Sequence, residues 1–131
     1  MSALILVVDD EPDVEDLFRQ QFRKELRSSR FVMDFALSAP EALARVASRD
    51  ASELILILSD INMPGMSGLD LLPRAREARP TVPIIMITAY GDEDTRRKAI
   101  AAGAAGLFTK PIDFPELRGE IGRVLDAASL Q

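Results

Sequence analysis

The chain contains no cysteine and no histidine. Without cysteine there is no disulfide, no thiol nucleophile and no zinc site of the cysteine type, and the composition suits a cytoplasmic protein better than a secreted scaffold. Without histidine, every His-dependent triad is excluded, as are an imidazole metal ligand and any step that holds a phosphoryl group on imidazole. Long apolar runs are missing too. The stretch from Ala3 to Val8 is far too short for a signal peptide or a membrane span and lacks a basic flank, so no membrane association is expected. Ser/Gly-rich linkers, low-complexity tracts and internal repeats are also absent. Base is scarcer than acid, with 16 Lys and Arg against 21 Asp and Glu and a net charge of -5. That balance argues against direct nucleic-acid binding, which needs a net basic face to neutralise phosphates.

What is present fits one soluble domain. The length is 131 residues, of which 47% are hydrophobic and 28% charged, enough for a single core. Residues 1–128 are expected to form that domain, and 129–131 a tail or the start of a truncated linker. Five apolar runs of strand length recur: Leu4 to Val8, Phe31 to Ala36, Leu54 to Leu58, Val82 to Ile87 and Gly106 to Phe108. The first, third and fourth are continuously apolar, as in parallel strands covered on both faces. Between the runs lie helical patterns. Val14, Phe18, Phe22 and Leu26 recur every four residues, forming one stripe. Ser38 and Glu41 spell a capping box around Pro40, and Gly103 is placed to end the helix before the fifth run. Pro73 predicts a kink, or a helix that starts later than its pattern. Five strands alternating with five helices describe a doubly wound α/β domain, in which ligands bind beyond the carboxyl ends of the strands.

Those ends carry Asp9, Asp10 and Glu11 after the first strand and Ser59 and Asp60 after the third. Thr88 and Ala89 follow the fourth, and Thr109, Lys110 and Pro111 the fifth. Each residue has a plain alternative: acids after a strand solvate loops or cap helices, a strand-end Asp forms turns, and a lysine is commonly a surface charge. A plain origin would have to hold independently at four strand ends, which favours a site. Carboxylates that meet there raise one another's pKa values, and a bound cation resolves the conflict. An oxygen-only donor set selects a hard ion, and Mg²⁺ suits a partly hydrated octahedral site.

The stretches VVDDEP, LSDINMPGMSG, MITAY and TKPID, in that order and at these intervals, resemble the receiver domain of bacterial two-component response regulators along essentially the whole chain. The resemblance implies a flavodoxin-like five-stranded parallel sheet in the order 2-1-3-4-5. It implies Asp60 as phosphoacceptor, Asp9 and Asp10 as the acidic pair holding Mg²⁺ with Asp60, and Asn62 as a ligand through its backbone carbonyl. Thr88 corresponds to the switch hydroxyl and Lys110 to the family's lysine. The implied partners are a histidine kinase or phosphotransfer protein, and then an output domain or partner protein, with a homodimer possible through the face formed by the fourth and fifth helices and the fifth strand.

The chemistry is consistent with those roles. A carboxylate can attack phosphorus if the incoming group is held in line and its charge neutralised, by Mg²⁺ and Lys110 here, with Thr88 donating to another oxygen. Small Ala89 leaves room for the phosphoryl group, Gly65 and Gly68 permit tight geometry after Asp60, and the Lys110–Pro111 bond is a candidate cis peptide. The family often has an aromatic readout three residues before the lysine, whereas this chain has Leu107. Its neighbour Phe108 should face the opposite side of the strand as core. Tyr90 is a candidate gate, with a surface contact as the simpler role.

Two other readings compete. An Asp-nucleophile, Mg²⁺-dependent phosphatase of haloacid dehalogenase type needs an acid two residues after the nucleophile, where this chain has Asn62. A non-phosphorylated interaction domain of the same fold is opposed by the complete set Asp9, Asp10, Asp60, Thr88 and Lys110. The expectation is therefore a signalling domain rather than a turnover enzyme.

Overall fold

The structure is a computed structural model that describes residues 3–48 and 53–129. In chain order it comprises β1 (Leu4–Val8), α1 (Asp13–Gln21), α2 (Arg23–Arg27), β2 (Val32–Ala36), α3 (Ala39–Ala47), β3 (Leu54–Asp60), α4 (Gly68–Ala78), β4 (Ile84–Thr88), α5 (Glu93–Ala101), β5 (Gly106–Thr109) and α6 (Phe114–Ser129). The strands form one sheet in the order β2-β1-β3-β4-β5, with every neighbouring pair parallel. The expected doubly wound α/β architecture is the one observed.

The continuous apolar runs follow from burial on both faces. Leu6, Val8, Ile57, Ile84 and Met86 point to one side, where they pack with Ala42 and Val46 of α3, Leu71, Leu72 and Ala75 of α4, and Ala99 of α5. The alternate residues Ile5, Val7, Leu56, Leu58, Ile85 and Ile87 point to the other, against Phe18 and Phe22 and against Leu117 and Ile121 of α6. Each such aliphatic side chain, wholly removed from water, stabilises the fold by roughly 1.5–3 kcal/mol.

Several local details depart from the sequence pattern. The single helix expected from Val14 to Leu26 divides at Phe22, whose backbone leaves the helical region (φ -105°, ψ 25°). Its buried ring packs against Phe18, Phe31 and Phe114 at centroid distances of 6.1, 5.9 and 6.0 Å. Tertiary packing prevails over the local pattern there, although Phe22 N–H still donates to Phe18 and Leu26 N–H to Phe22. The helix containing Pro73 does not start late. Ser67 and Asp70 form a full capping box that sets its first turn, and Pro73 lies on the exposed side, where water can serve a carbonyl that lacks its intrahelical partner. At α3, Ser38 accepts from Glu41 N–H as expected, but the Glu41 carboxylate reaches the N–H of Leu37 rather than that of Ser38. Gly103 adopts φ +102° just beyond α5, and the N–H groups of Gly103 and Ala104 bond back to Ile100 and Ala99, a Schellman ending. Ser129 ends α6, and residues 130 and 131 of the expected tail lie outside the described residues. No helix among the described residues is long and apolar enough to cross a membrane.

Candidate functional site

The parallel register brings the polar strand ends to one edge of the sheet. Val8 pairs with Ser59, Asp60 with Ile87 and Thr88 with Thr109, so residues just past β1, at the ends of β3 and β4 and just past β5 become neighbours. Asp60 is the last residue of β3, two residues beyond the apolar run. It is 4% exposed, Asp9 7% and Thr88 0%, against a rule that carboxylates are rarely buried without a partner.

The partner is Lys110. Its Nζ lies 3.2 Å from Asp9 Oδ2 and 3.5 Å from Asp60 Oδ2. The backbone assists: Glu11 N–H donates to Asp9 Oδ1 at 2.9 Å, and Asn62 N–H to Asp60 Oδ1 at 3.4 Å. Lys110 N–H donates to the Thr88 carbonyl at 2.8 Å, tying the lysine's loop to the end of β4, and the Lys110–Pro111 peptide is cis. Asp9, Asp10 and Asp60 each present an oxygen within 4.8 Å of the others.

Burial pushes the Asp60 carboxyl above the usual aspartate range and the charge of Asp9 adds to the effect, against the opposing pull of Lys110 and the Asn62 N–H. For Lys110, burial works against the charged form, but Asp9 and then Asp60 outweigh it and hold the ammonium above the ordinary lysine value. Three clustered carboxylates, two of them paired to one ammonium, leave an excess of negative charge among oxygen donors. That chemistry fits a hard divalent cation.

Thr88 Oγ1 donates to Asn62 Oδ1 at 3.0 Å and accepts the Tyr90 N–H at 3.0 Å. The Asn62 side chain therefore touches the hydroxyl, a contact that residue spacing does not reveal because 26 residues separate the pair. Ala89 and Tyr90 are exposed, Tyr90 at 65%. Leu107 packs on the face of α3, α4 and α5, and Phe108 on the opposite face with the aromatic cluster. Gly65 takes φ +75°, and Gly68 lies so close to Asp60 that an added Cβ would collide with the Asp60 carbonyl oxygen.

The family model of the response regulator receiver domain matches residues 5–122. The chain belongs to the response regulator receiver domain family. It is 38% identical over 123 residues to the response regulator protein PilR of Pseudomonas aeruginosa, a match that covers 92% of this chain and 25% of PilR. The chain thus spans only a quarter of the length of that relative. Over 129 residues it is 30% identical to the sporulation initiation phosphotransferase F of Bacillus subtilis, with 98% of each chain covered. The crystal structure of the signal receiver domain of an HD domain-containing protein from Pseudomonas fluorescens superposes on the receiver fold described above with a TM-score of 0.85 at 28% identity, covering 100% of both chains.

Proposed function

We propose that this receiver domain accepts a phosphoryl group on Asp60 from a histidine kinase or phosphotransfer protein, in the cytoplasm and with Mg²⁺ as cofactor, and then alters its surface for a downstream output. The observation that carries the reading is the Lys110 ammonium held 3.2 Å from Asp9 and 3.5 Å from Asp60 beside three clustered carboxylates.

In the transfer, a carboxylate oxygen of Asp60 attacks phosphorus. The bond from phosphorus to the donor's imidazole nitrogen breaks and its electron pair stays on that nitrogen, leaving an acyl phosphate on Asp60. The Asn62 N–H orients the nucleophile. Lys110 offsets the charge that arrives, and Thr88 at the adjacent strand end donates to a phosphoryl oxygen. Mg²⁺, bound by Asp9, Asp10, Asp60 and the backbone carbonyl of Asn62, would neutralise charge on the transferring group. A mainly dianionic group at Asp60 then draws Thr88 toward it and shifts α5, which lies directly after β4. With Leu107 in place of an aromatic, the readout runs through Thr88 and α5, and the α5-β5-α6 face is the surface for an output partner or a second copy.

The phosphatase reading is not favoured. Asn62 stands where its general acid would be, and a carboxamide is too weak an acid to protonate a leaving group. Incubation with Mg²⁺ and a small phosphodonor should give a single labile phosphoryl adduct by intact mass. Absence of the adduct, or its persistence in Asp60→Asn, would overturn the assignment, and sustained phosphomonoester turnover with no adduct would favour the phosphatase.

A further inference from the structure

The side chain of Asn62 has no part in the reading above, which uses only its backbone. Yet that side chain accepts from a wholly buried hydroxyl: Thr88, 0% exposed, donates to Asn62 Oδ1 at 3.0 Å. A threonine hydroxyl carries a single proton. Its oxygen already accepts the Tyr90 N–H at 3.0 Å, so the proton is the group's only donor and it is committed to Asn62. A phosphoryl oxygen on Asp60 would need the same proton.

We propose that the Asn62 carboxamide is a positioning residue that acts through Thr88: it holds the hydroxyl in the unphosphorylated arrangement and competes with the phosphoryl group for its proton. The inference rests on the phosphoacceptor reading of Asp60. The geometry suits the role because Asn62 touches both parties, its N–H on Asp60 Oδ1 and its Oδ1 on the Thr88 hydroxyl. Asn62 itself is exposed while Thr88 is buried, so removing the carboxamide leaves the core intact and leaves a buried hydroxyl without its acceptor. An unsatisfied buried donor is costly, and a phosphoryl oxygen would relieve that cost. Tyr90 N–H is the reporter, since the oxygen that receives it is the one Asn62 holds in place.

The test uses beryllofluoride, a phosphoryl analogue, with Mg²⁺. Asn62→Ala is expected to bind it about three- to tenfold more tightly than the wild-type chain, the equivalent of one neutral hydrogen bond. The gain should vanish when Asn62→Ala is added to Thr88→Val, which has no proton to contest. In the protein without analogue, hydrogen exchange at the Tyr90 amide should quicken in Asn62→Ala and remain slow in Asn62→Asp, which keeps an acceptor oxygen. Unchanged affinity in Asn62→Ala, a gain that persists beside Thr88→Val, or unaltered Tyr90 exchange would each overturn the proposal while leaving Asp60 as acceptor. If the wild-type chain binds no analogue and forms no phosphoryl adduct, the phosphoacceptor reading itself fails and this proposal falls with it.

Discussion

Lys110 and Asp9 stand 101 residues apart in the chain, and the ammonium of one lies 3.2 Å from the carboxylate of the other. The pair closes the site from its two ends: Asp9 follows β1, an inner strand, and Lys110 follows the edge strand β5. Asp60, at the end of the intervening strand β3, is buried and lies 3.5 Å from the same ammonium.

Replacing Lys110 should disable the transfer more than the fold. In Lys110→Met the adduct on Asp60 is expected to form at least about a hundredfold more slowly, the usual loss when one preorganised charge-stabilising group is removed. Quenched time courses with a small phosphodonor provide the check. An unchanged rate would mean that the lysine serves only to hold Asp9.

Asp60 should cost the domain stability at neutral pH. Folding raises its pKa, chiefly by burial, so between the ordinary aspartate value and the raised one the native state binds more protons than the unfolded chain. Stability therefore falls as pH rises through that window, and the loss persists above it. Lys110, also raised, has the opposite placement: its contribution is complete below the ordinary lysine value and is lost as pH climbs through the raised one. In metal-free buffer at pH 7, Asp60→Asn should melt a few degrees above the wild type, and the difference should close as pH falls toward the ordinary aspartate value. Equal melting temperatures at pH 7 would contradict this account.

Divalent metal should stabilise the domain by relieving the same repulsion. At a Mg²⁺ concentration ten times its Kd, the gain is about 1.4 kcal/mol, or roughly 3–6 °C in melting temperature for a domain of this size. Chelation should reverse it, and Asp10→Asn should remove most of the dependence. A Mg²⁺ response that survives in Asp10→Asn would place the ion elsewhere.

Gly68 offers a test in which helix propensity and packing predict opposite signs. As the first residue of α4, alanine ordinarily stabilises a helix by up to about 1 kcal/mol over glycine. Here the added Cβ would strike the Asp60 carbonyl oxygen and lie 2.7 Å from Met86 Cε and 2.9 Å from Ile61 Cα. Gly68→Ala is expected to destabilise by about 2–3 kcal/mol in urea unfolding, as overpacking does, and to slow adduct formation by displacing Asp60. A more stable variant would show that the loop yields freely.

Arg79, just past α4, donates to the carbonyls of Val46 and Ser48 at 3.1 and 3.3 Å, and so serves the end of α3. Arg79→Ala should lower stability by about 1–2 kcal/mol and leave the adduct yield unchanged. A change in yield without loss of stability would run against a purely structural role.

Much of the architecture was readable from residue order because it depends on local rules. Alternating apolar runs and amphipathic stripes specify parallel strands with helices on both faces, and Gly103 marks a helix end by its tolerance of positive φ. The break at Phe22 was not readable, since it depends on three aromatic rings brought from distant segments. The start of α4 is a different case: Ser67 and Asp70 stand three apart and signal it, against Pro73, which points to a kink or a later start.

The site divides in the same way. The residue types at the strand ends, the lack of histidine and cysteine, and the resemblance carried by VVDDEP, LSDINMPGMSG, MITAY and TKPID are properties of the sequence by itself. They determined the fold class, the oxygen-only character of the metal donors and the residue types that stand at the strand ends. Distance and burial are not encoded in spacing. Only the tertiary structure decided that Lys110 pairs with both Asp9 and Asp60, that burial raises the Asp60 carboxyl, and that the Thr88 proton rests on Asn62, because each depends on strands that become neighbours only when the sheet is assembled.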